Sequence, residues 1–387
     1  MATDCTKMRG TVAIVGVAES DELGRLPNKS SLQLHMEATH NALADAGLKK
    51  SDIDAVFTSG RNMANDVPEY LGIRPRFVGG TQVGGCSFIL HVEHAMAAIN
   101  AGLCEVALIT HGESGHSRIA MPAPRWGDDS TNNQFELPYG TVGPATGYGF
   151  LATRHMHTYG TTGEQLAEVA VATRKWAAMN PKAYARDPIT IDDVLNSRMI
   201  AWPFHLLDCC LVTDGGGAAI VTSAERARDL PKKPVYVLGT GECATHMMVS
   251  QMPSFVSWDA ARISGERAFR MSGVKHADID VAQFYDAFTI VPMLALEELG
   301  FCKPGESGAF VSGQRTAPGG EFPMNTNGGG LSYTHTGMYG IFTIIEGVRQ
   351  LRGECGPRQV PNAKTAICHG TGGTWSAAAT MIVSTER

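Results

Sequence analysis

Two thiols and one imidazole carry the reactive chemistry of this chain. Cys86 stands in Gly84-Gly85-Cys86-Ser87-Phe88, where a strand-like run gives way to a helical one. A thiol at a helix N-terminus meets free backbone N–H groups and the positive end of the helix dipole. Both favour thiolate, the nucleophilic form, and so acyl transfer. A small buried cysteine fits the same position equally well. His335, in Tyr333-Thr334-His335-Thr336-Gly337, also lies just ahead of a helical pattern, with Met338, Phe342, Ile345 and Val348 on one face. Alone it reads as structural. It falls, however, at the place in the second half that Cys86 holds in the first, which makes the two a candidate pair. Cys368 ends an apolar run and is followed by His369 and Gly370. Its thiol could pass a proton, a role for which His369 competes. The N–H groups of the glycines beyond it, Gly370 first, could hold an oxyanion. The neighbouring Cys209 and Cys210 read as buried packing.

The elements that must position these residues form a duplication. Residues 46–56, Ala-Gly-Leu-Lys-Lys-Ser-Asp-Ile-Asp-Ala-Val, recur at 272–282 as Ser-Gly-Val-Lys-His-Ala-Asp-Ile-Asp-Val-Ala. Each half opens on a β-like run, Thr11–Gly16 and Pro234–Gly239. In each, a helix ending in glycine precedes an apolar strand and then His-Gly, at His111-Gly112 and at His369-Gly370. The periodicity predicts a helix over 31–46 with Ser30 or Ser31 as N-cap and Gly47 as stop, and another over 87–101. Val56-Phe57 and Val106–Ile109 read as strands. This gives an α/β chain of two like halves. Residues 1–112 with 206–230 form the first and 231–387 the second. Residues 113–205, loop-like but helical near 162–178, read as an insertion that covers a site. Within it Met121, Trp126, Phe135 and Tyr139 are either an acyl pocket or ordinary packing.

Composition narrows the function. At 43% hydrophobic and 18% charged, the 387 residues have ample core-forming material. A net charge of −6 without a basic run argues against nucleic acid. Neither a signal-peptide core nor a membrane span is expected. Nine cysteines without a Cys-x-x-Cys pair argue against structural zinc and for reduced thiols in a cytoplasmic protein.

Taken together, these segments resemble the thiolase superfamily over nearly the whole chain. Thiolases place a nucleophilic Cys at a helix start, matched here by Cys86. Their Gly-His-Pro motif is matched by His335, with Thr334 and Thr336 as flanks. Their Cys-x-Gly is matched by Cys368-His369-Gly370, and Tyr285-Asp286-Ala287-Phe288 replaces Asn-Glu-Ala-Phe. The resemblance implies a five-layer α-β-α-β-α fold and a homodimeric core. Tyr285 and Thr336 depart from the thiolase pattern toward the sterol-carrier, lipid-transfer-protein-like branch. Members of that branch often work with a small partner chain bearing a zinc ribbon and an OB-fold. Some are retro-aldolases on steroid side chains and lack the thiolase cysteines. Retention of Cys86 and Cys368 points instead to thiolysis, on the pattern of the benzoylsuccinyl-CoA thiolases of anaerobic toluene degradation.

The resulting expectation is CoA-dependent cleavage of a 3-oxoacyl-CoA, such as the aromatic 2-benzoylsuccinyl-CoA, with coenzyme A as a substrate and no resident cofactor or metal. Cys86 would form the acyl-enzyme, with His335 taking its proton or stabilising the thiolate. Cys368 would protonate the leaving enolate, and a water held by Tyr285 or Asp286 would complete the oxyanion site. Asp286 serves equally well as a structural acceptor at a helix start. The alternatives are a retro-aldolase of the same fold, with Tyr285 or Tyr339 as acid or base, and a non-catalytic acyl-CoA- or lipid-binding protein. The run Gly239-Thr240-Gly241 lacks the further residues a dinucleotide site requires.

Overall fold

In the computed structural model, residues 5–60, 62, 64–119 and 129–387 are described. The strands are Val12–Glu19 (β1), Ala55–Thr58 (β2), Phe77–Gly79 (β3), Val106–Ser114 (β4), Met199–Ala201 (β5), Phe204–His205 (β6), Asp214–Ser223 (β7), Val235–Ala244 (β8), Val281–Phe284 (β9), Thr365–Gly372 (β10) and Ala377–Ser384 (β11). The helices are Ser31–Ala46 (α1), Asp66–Leu71 (α2), Ser87–Asn100 (α3), Thr131–Phe135 (α4), Gly143–Tyr159 (α5), Gly163–Ala178 (α6), Ile191–Asn196 (α7), Asp259–Ser272 (α8), Ile290–Glu298 (α9), Ser307–Val311 (α10) and Gly340–Arg352 (α11).

Nine strands follow the order β3-β2-β4-β7-β1-β8-β11-β10-β9. This order is a mirror: β1 answers β8, β7 answers β11, β4 answers β10 and β2 answers β9. Pairing senses repeat as well, since β2 runs parallel to β4 and β9 to β10, while β7 and β11 run antiparallel to their neighbours. Even the bulge recurs, just before Gly16 in β1 and just before Gly239 in β8. Within the sheet the halves meet where β1 pairs with β8, at Ala13 with Tyr236 and Ile14 with Val235.

The repeated Asp-Ile-Asp run has a structural cause. Asp52 and Asp278 accept the N–H groups of Lys49 and Lys275 at 2.7 and 2.9 Å, closing a short turn in each half. Asp54 then accepts the N–H groups of Glu105 and Val106 at the start of β4. Asp280 does the same for Lys364 and Thr365 at the start of β10. Each carboxylate ties one strand to the next.

The packing gives five layers. α1 covers the outside of β1, β4 and β7, and α8 the outside of β8 and β11. α3 and α11 lie between, touching strands of both halves and each other. α1 needs only one apolar face, and its ends carry a Ser30–Gln33 capping box and a left-handed Gly47. α3 and α11 are enclosed on both sides, so Phe88–Val92 and Ile341–Val348 are buried without a break.

The inserted region contains the helix expected near 162–178, seen as α6, and among its described residues also α4, α5 and α7. β4 extends to Ser114, two residues into the region that the sequence assigns to the insertion. The Pro- and Gly-rich stretch contains α5, which has Pro144 in its first turn, where a missing N–H costs nothing. A Thr162–Gln165 capping box starts α6. No helix among the described residues is long and apolar enough to cross a membrane.

Candidate active site

Tyr285 leaves the carboxyl end of β9, its N–H donated to the carbonyl of His369 at 2.9 Å. Strand ends of this kind are where α/β folds bind ligands. His335 lies in the segment between the turn Gly329–Tyr333 and α11. Its backbone is pinned on both sides by Thr213, which accepts its N–H at 3.0 Å and donates to its carbonyl at 3.1 Å. The Tyr285 hydroxyl and His335 Nε2 are 2.8 Å apart, with the rings edge to face. Both residues line a cavity of about 940 Å³. Tyr148, Phe288, Ile200, Met247, Val249 and Met338 give it a largely apolar wall. The Tyr285 ring fits because residue 85 is glycine: a β-carbon there would overlap it.

The electrostatics assign the proton. Loss of water holds the His335 imidazole down at about 4, so it is neutral at pH 7. Burial, reinforced by nearby acidic groups, pushes the Tyr285 phenol well above its ordinary value. A protonated phenol thus faces a neutral imidazole, to which it can donate when the ring hydrogen is on Nδ1.

The two catalytic thiols expected from the sequence are not on this cavity. Cys86 is the N-cap of α3, as predicted, but it is 0% exposed, and its thiol faces the carbonyl of Val83 at 3.7 Å. Burial pushes it up to about 12, so desolvation outweighs the helix N-terminus and the group stays a thiol. β10 lies flat against it: a β-carbon on Gly370 would come within 2.9 Å of the Cys86 Cα. Gly370 itself is within the β10–β11 ladder opposite Ala379 and does not reach the cavity. Cys368 faces α11, donating to the Thr343 carbonyl at 3.3 Å, and burial raises it too.

His369 points to the other side of β10, onto Thr380 Oγ1 at 2.8 Å and the Trp258 ring, and it too is absent from the cavity wall. Asp286 is turned away and accepts the N–H groups of Gly330 and Leu331, at 2.6 and 3.4 Å. Burial raises it to about 8. Tyr339, not His335, is the N-cap of α11 and so the counterpart of Cys86; His335 lies four residues earlier. Its hydroxyl donates to Asn327 Oδ1 at 2.8 Å, behind Tyr285.

Phe135 and Tyr139 are 59% and 88% exposed and form no acyl pocket, while Asn132, Asn133 and Leu137 of the same turns do line the cavity. Met121 and Trp126 lie outside the described residues. Sequence reasoning missed Tyr148, and it assigned Cys209 and Cys210 to packing although both border the cavity. Gly239 and Gly241 sit inside β8 under α8, where a β-carbon would strike the helix backbone, so they form no phosphate-binding turn.

Comparison with known proteins agrees with this architecture. The thiolase C-terminal domain-like family matches residues 241–385. The 17-hydroxy-3-oxo-4-pregnene-20-carboxyl-CoA lyase of Mycobacterium tuberculosis is 40% identical over 360 residues, covering 89% of this chain and 92% of that one. The chain belongs to the thiolase superfamily. Within that superfamily it is of the sterol-carrier, thiolase-like type. The solved structure of the Ltp2-ChsH2(DUF35) aldolase superposes with a TM-score of 0.90 at 34% identity, covering 98% of this thiolase-superfamily chain and 99% of that one. The benzoylsuccinyl-CoA thiolase subunit BbsB of Thauera aromatica is 34% identical over a shorter span, 58% of this chain and 59% of that one.

Proposed function

We propose that this chain cleaves a β-hydroxyacyl-CoA by a retro-aldol reaction, with a large apolar acyl body in the cavity and a small partner subunit alongside. The observation that carries the reading is the 2.8 Å Tyr285–His335 pair on the cavity wall, with both thiols shut away from it. A lyase acting on a steroid-type CoA thioester and a two-component aldolase are among the similar proteins, which supports the substrate class and the partner.

The chemistry needs one proton moved from oxygen to carbon. The Tyr285 oxygen takes the proton of the substrate β-hydroxyl as its own passes to the neutral His335 Nε2. The electrons of the broken O–H bond form the carbonyl. The bond between the α- and β-carbons breaks, leaving its pair on the thioester enolate. The proton then returns through Tyr285 to the α-carbon, giving a ketone or aldehyde and a shortened acyl-CoA. No acyl-enzyme and no free CoA are required.

Thiolysis is the second reading, favoured by the place of Cys86 at the α3 N-cap, but it requires that thiol to be uncovered and ionised. The deciding experiment incubates the chain, with and without its partner, with a labelled β-hydroxyacyl-CoA. Carbonyl product and shortened acyl-CoA without added CoA support the proposal. Turnover that depends on CoA, with label trapped on Cys86, would replace it with thiolysis.

A further inference from the structure

The segment that delivers His335 has no ladder or helix of its own. Residues 334–339 run between the Gly329–Tyr333 turn and α11, so side chains from elsewhere must fix them. Thr213 holds the His335 backbone and pairs with the Thr334 hydroxyl at 2.8 Å. On the other side, the Thr336 hydroxyl meets His111 Nε2 at 2.9 Å. Thr336 also directs its hydroxyl at the Met338 carbonyl, 3.5 Å away. If the hydroxyl proton goes to Met338, the oxygen accepts from His111 Nε2; in the other tautomer the hydroxyl donates to that nitrogen, and either way the bond ties residue 336 to His111. His111 is itself immobile. It projects from β4, is fully buried, and is held between the Phe88 ring at 4.9 Å and the edge of His35 at 6.3 Å. Among the described residues no group meets hydrogen-bond geometry at its Nδ1, although the Ser59 backbone lies close enough to act on the ring. A buried imidazole with one nitrogen unmet is a costly core residue. Its side-chain hydrogen bond is to the residue following His335, and the Ser59 backbone is its other polar neighbour.

We propose that His111 is a positioning residue for His335, acting through the Thr336 hydroxyl. The first half of the fold thereby fixes the imidazole that the second half presents to Tyr285. The hydrogen bond sets where residue 336 sits, and this sets the reach of His335 Nε2 to the tyrosine oxygen. Misplacement of about 1 Å at a reacting group costs on the order of 100-fold in rate.

The inference rests on the Tyr285–His335 reading of the site, so its test includes a readout that needs no turnover. Thr336→Val, Thr336→Ser, His111→Leu and the double variant His111→Leu/Thr336→Val are assayed on a β-hydroxyacyl-CoA with the partner subunit. The ¹⁵N imidazole resonances of His335, assigned through His335→Gln, are recorded in parallel. Thr336→Val and His111→Leu should each lower kcat by about 10- to 100-fold with KM nearly unchanged, and the double should be no worse than the poorer single. Thr336→Ser keeps the hydroxyl and should keep the rate. The His335 resonance should move in the valine and leucine variants and stay in the serine one.

Wild-type kcat in Thr336→Val, multiplying losses in the double, or a His335 resonance indifferent to Thr336 would overturn the proposal. If His111→Leu does not fold, the Val/Ser contrast at 336 decides alone. If even the parent enzyme turns over no β-hydroxyacyl-CoA, the aldolase reading fails and the resonance still tests the positioning.

Discussion

Tyr285 and His335 divide one task between an acid that holds its proton and a base that is empty at neutral pH. Removing the phenol oxygen in Tyr285→Phe leaves the ring packed against Gly85 and deletes only the relay. The expected loss in kcat is about 10²- to 10⁴-fold, with KM little moved, measured in steady state on the β-hydroxyacyl-CoA. His335 must be neutral to accept, and burial holds it at about 4. The sign follows: activity is lost only as pH falls through that value. A kcat profile taken from pH 8 down to 5 should therefore lack the limb near 6.5 that an ordinary histidine gives. Cys86→Ala separates the two chemistries. Retro-aldol turnover should persist, with roughly 1 kcal/mol of stability lost to the small void. An abolished reaction would restore Cys86 to the catalytic centre.

At the scale of elements, the site depends on how the Gly329–Tyr333 turn is held before His335. Asp286 accepts two of its N–H groups. Tyr333 and Arg349 both bond Glu19 of β1, at 2.5 Å, anchoring the far end. Asp286→Ala strands buried donors and should cost about 1–3 kcal/mol in denaturant unfolding, with most of the activity. Asp286→Asn retains an acceptor oxygen and should lose far less of both. Much of this scaffold was legible. Ser30, Gly47 and the apolar spacing of 31–46 mark α1 to the residue, because capping and periodicity are local properties. The helical stretch near 162–178 was legible within the 113–205 region, but α5 was not: its start is rich in glycine and proline, and Pro144 in a first turn begins a helix.

For the molecule as a whole, the fold buries several histidines, among the described residues, with no carboxylate beside them. His35, His91, His111 and His369 are held down at about 3 by loss of water, and His335 at about 4. In the unfolded chain each titrates near 6.5. Above that value they have no effect. As pH falls below it the unfolded state binds protons that the fold refuses, at ~1.4 kcal/mol per pH unit for each. Thermal melts should fall steeply below pH 6, and fall more gently as pH rises from 7 to 8, where the Asp286 carboxyl, raised to about 8 by burial, loses its proton in the fold. His369→Gln should make the fall below pH 6 shallower.

The sequence by itself determined the duplication, the order of the elements and the branch of the superfamily. The Asp-Ile-Asp turns, the helix caps and the apolar periods each act over a few residues and so are written locally. Only the tertiary structure decided which reactive groups meet the cavity. That choice depends on which side of β10 residues 368 and 369 face, on the backbone of β10 closing over Cys86, and on a missing β-carbon at Gly85 that admits the Tyr285 ring. Such contacts join segments hundreds of residues apart, and their desolvation sets whether a thiol or an imidazole is ready to react.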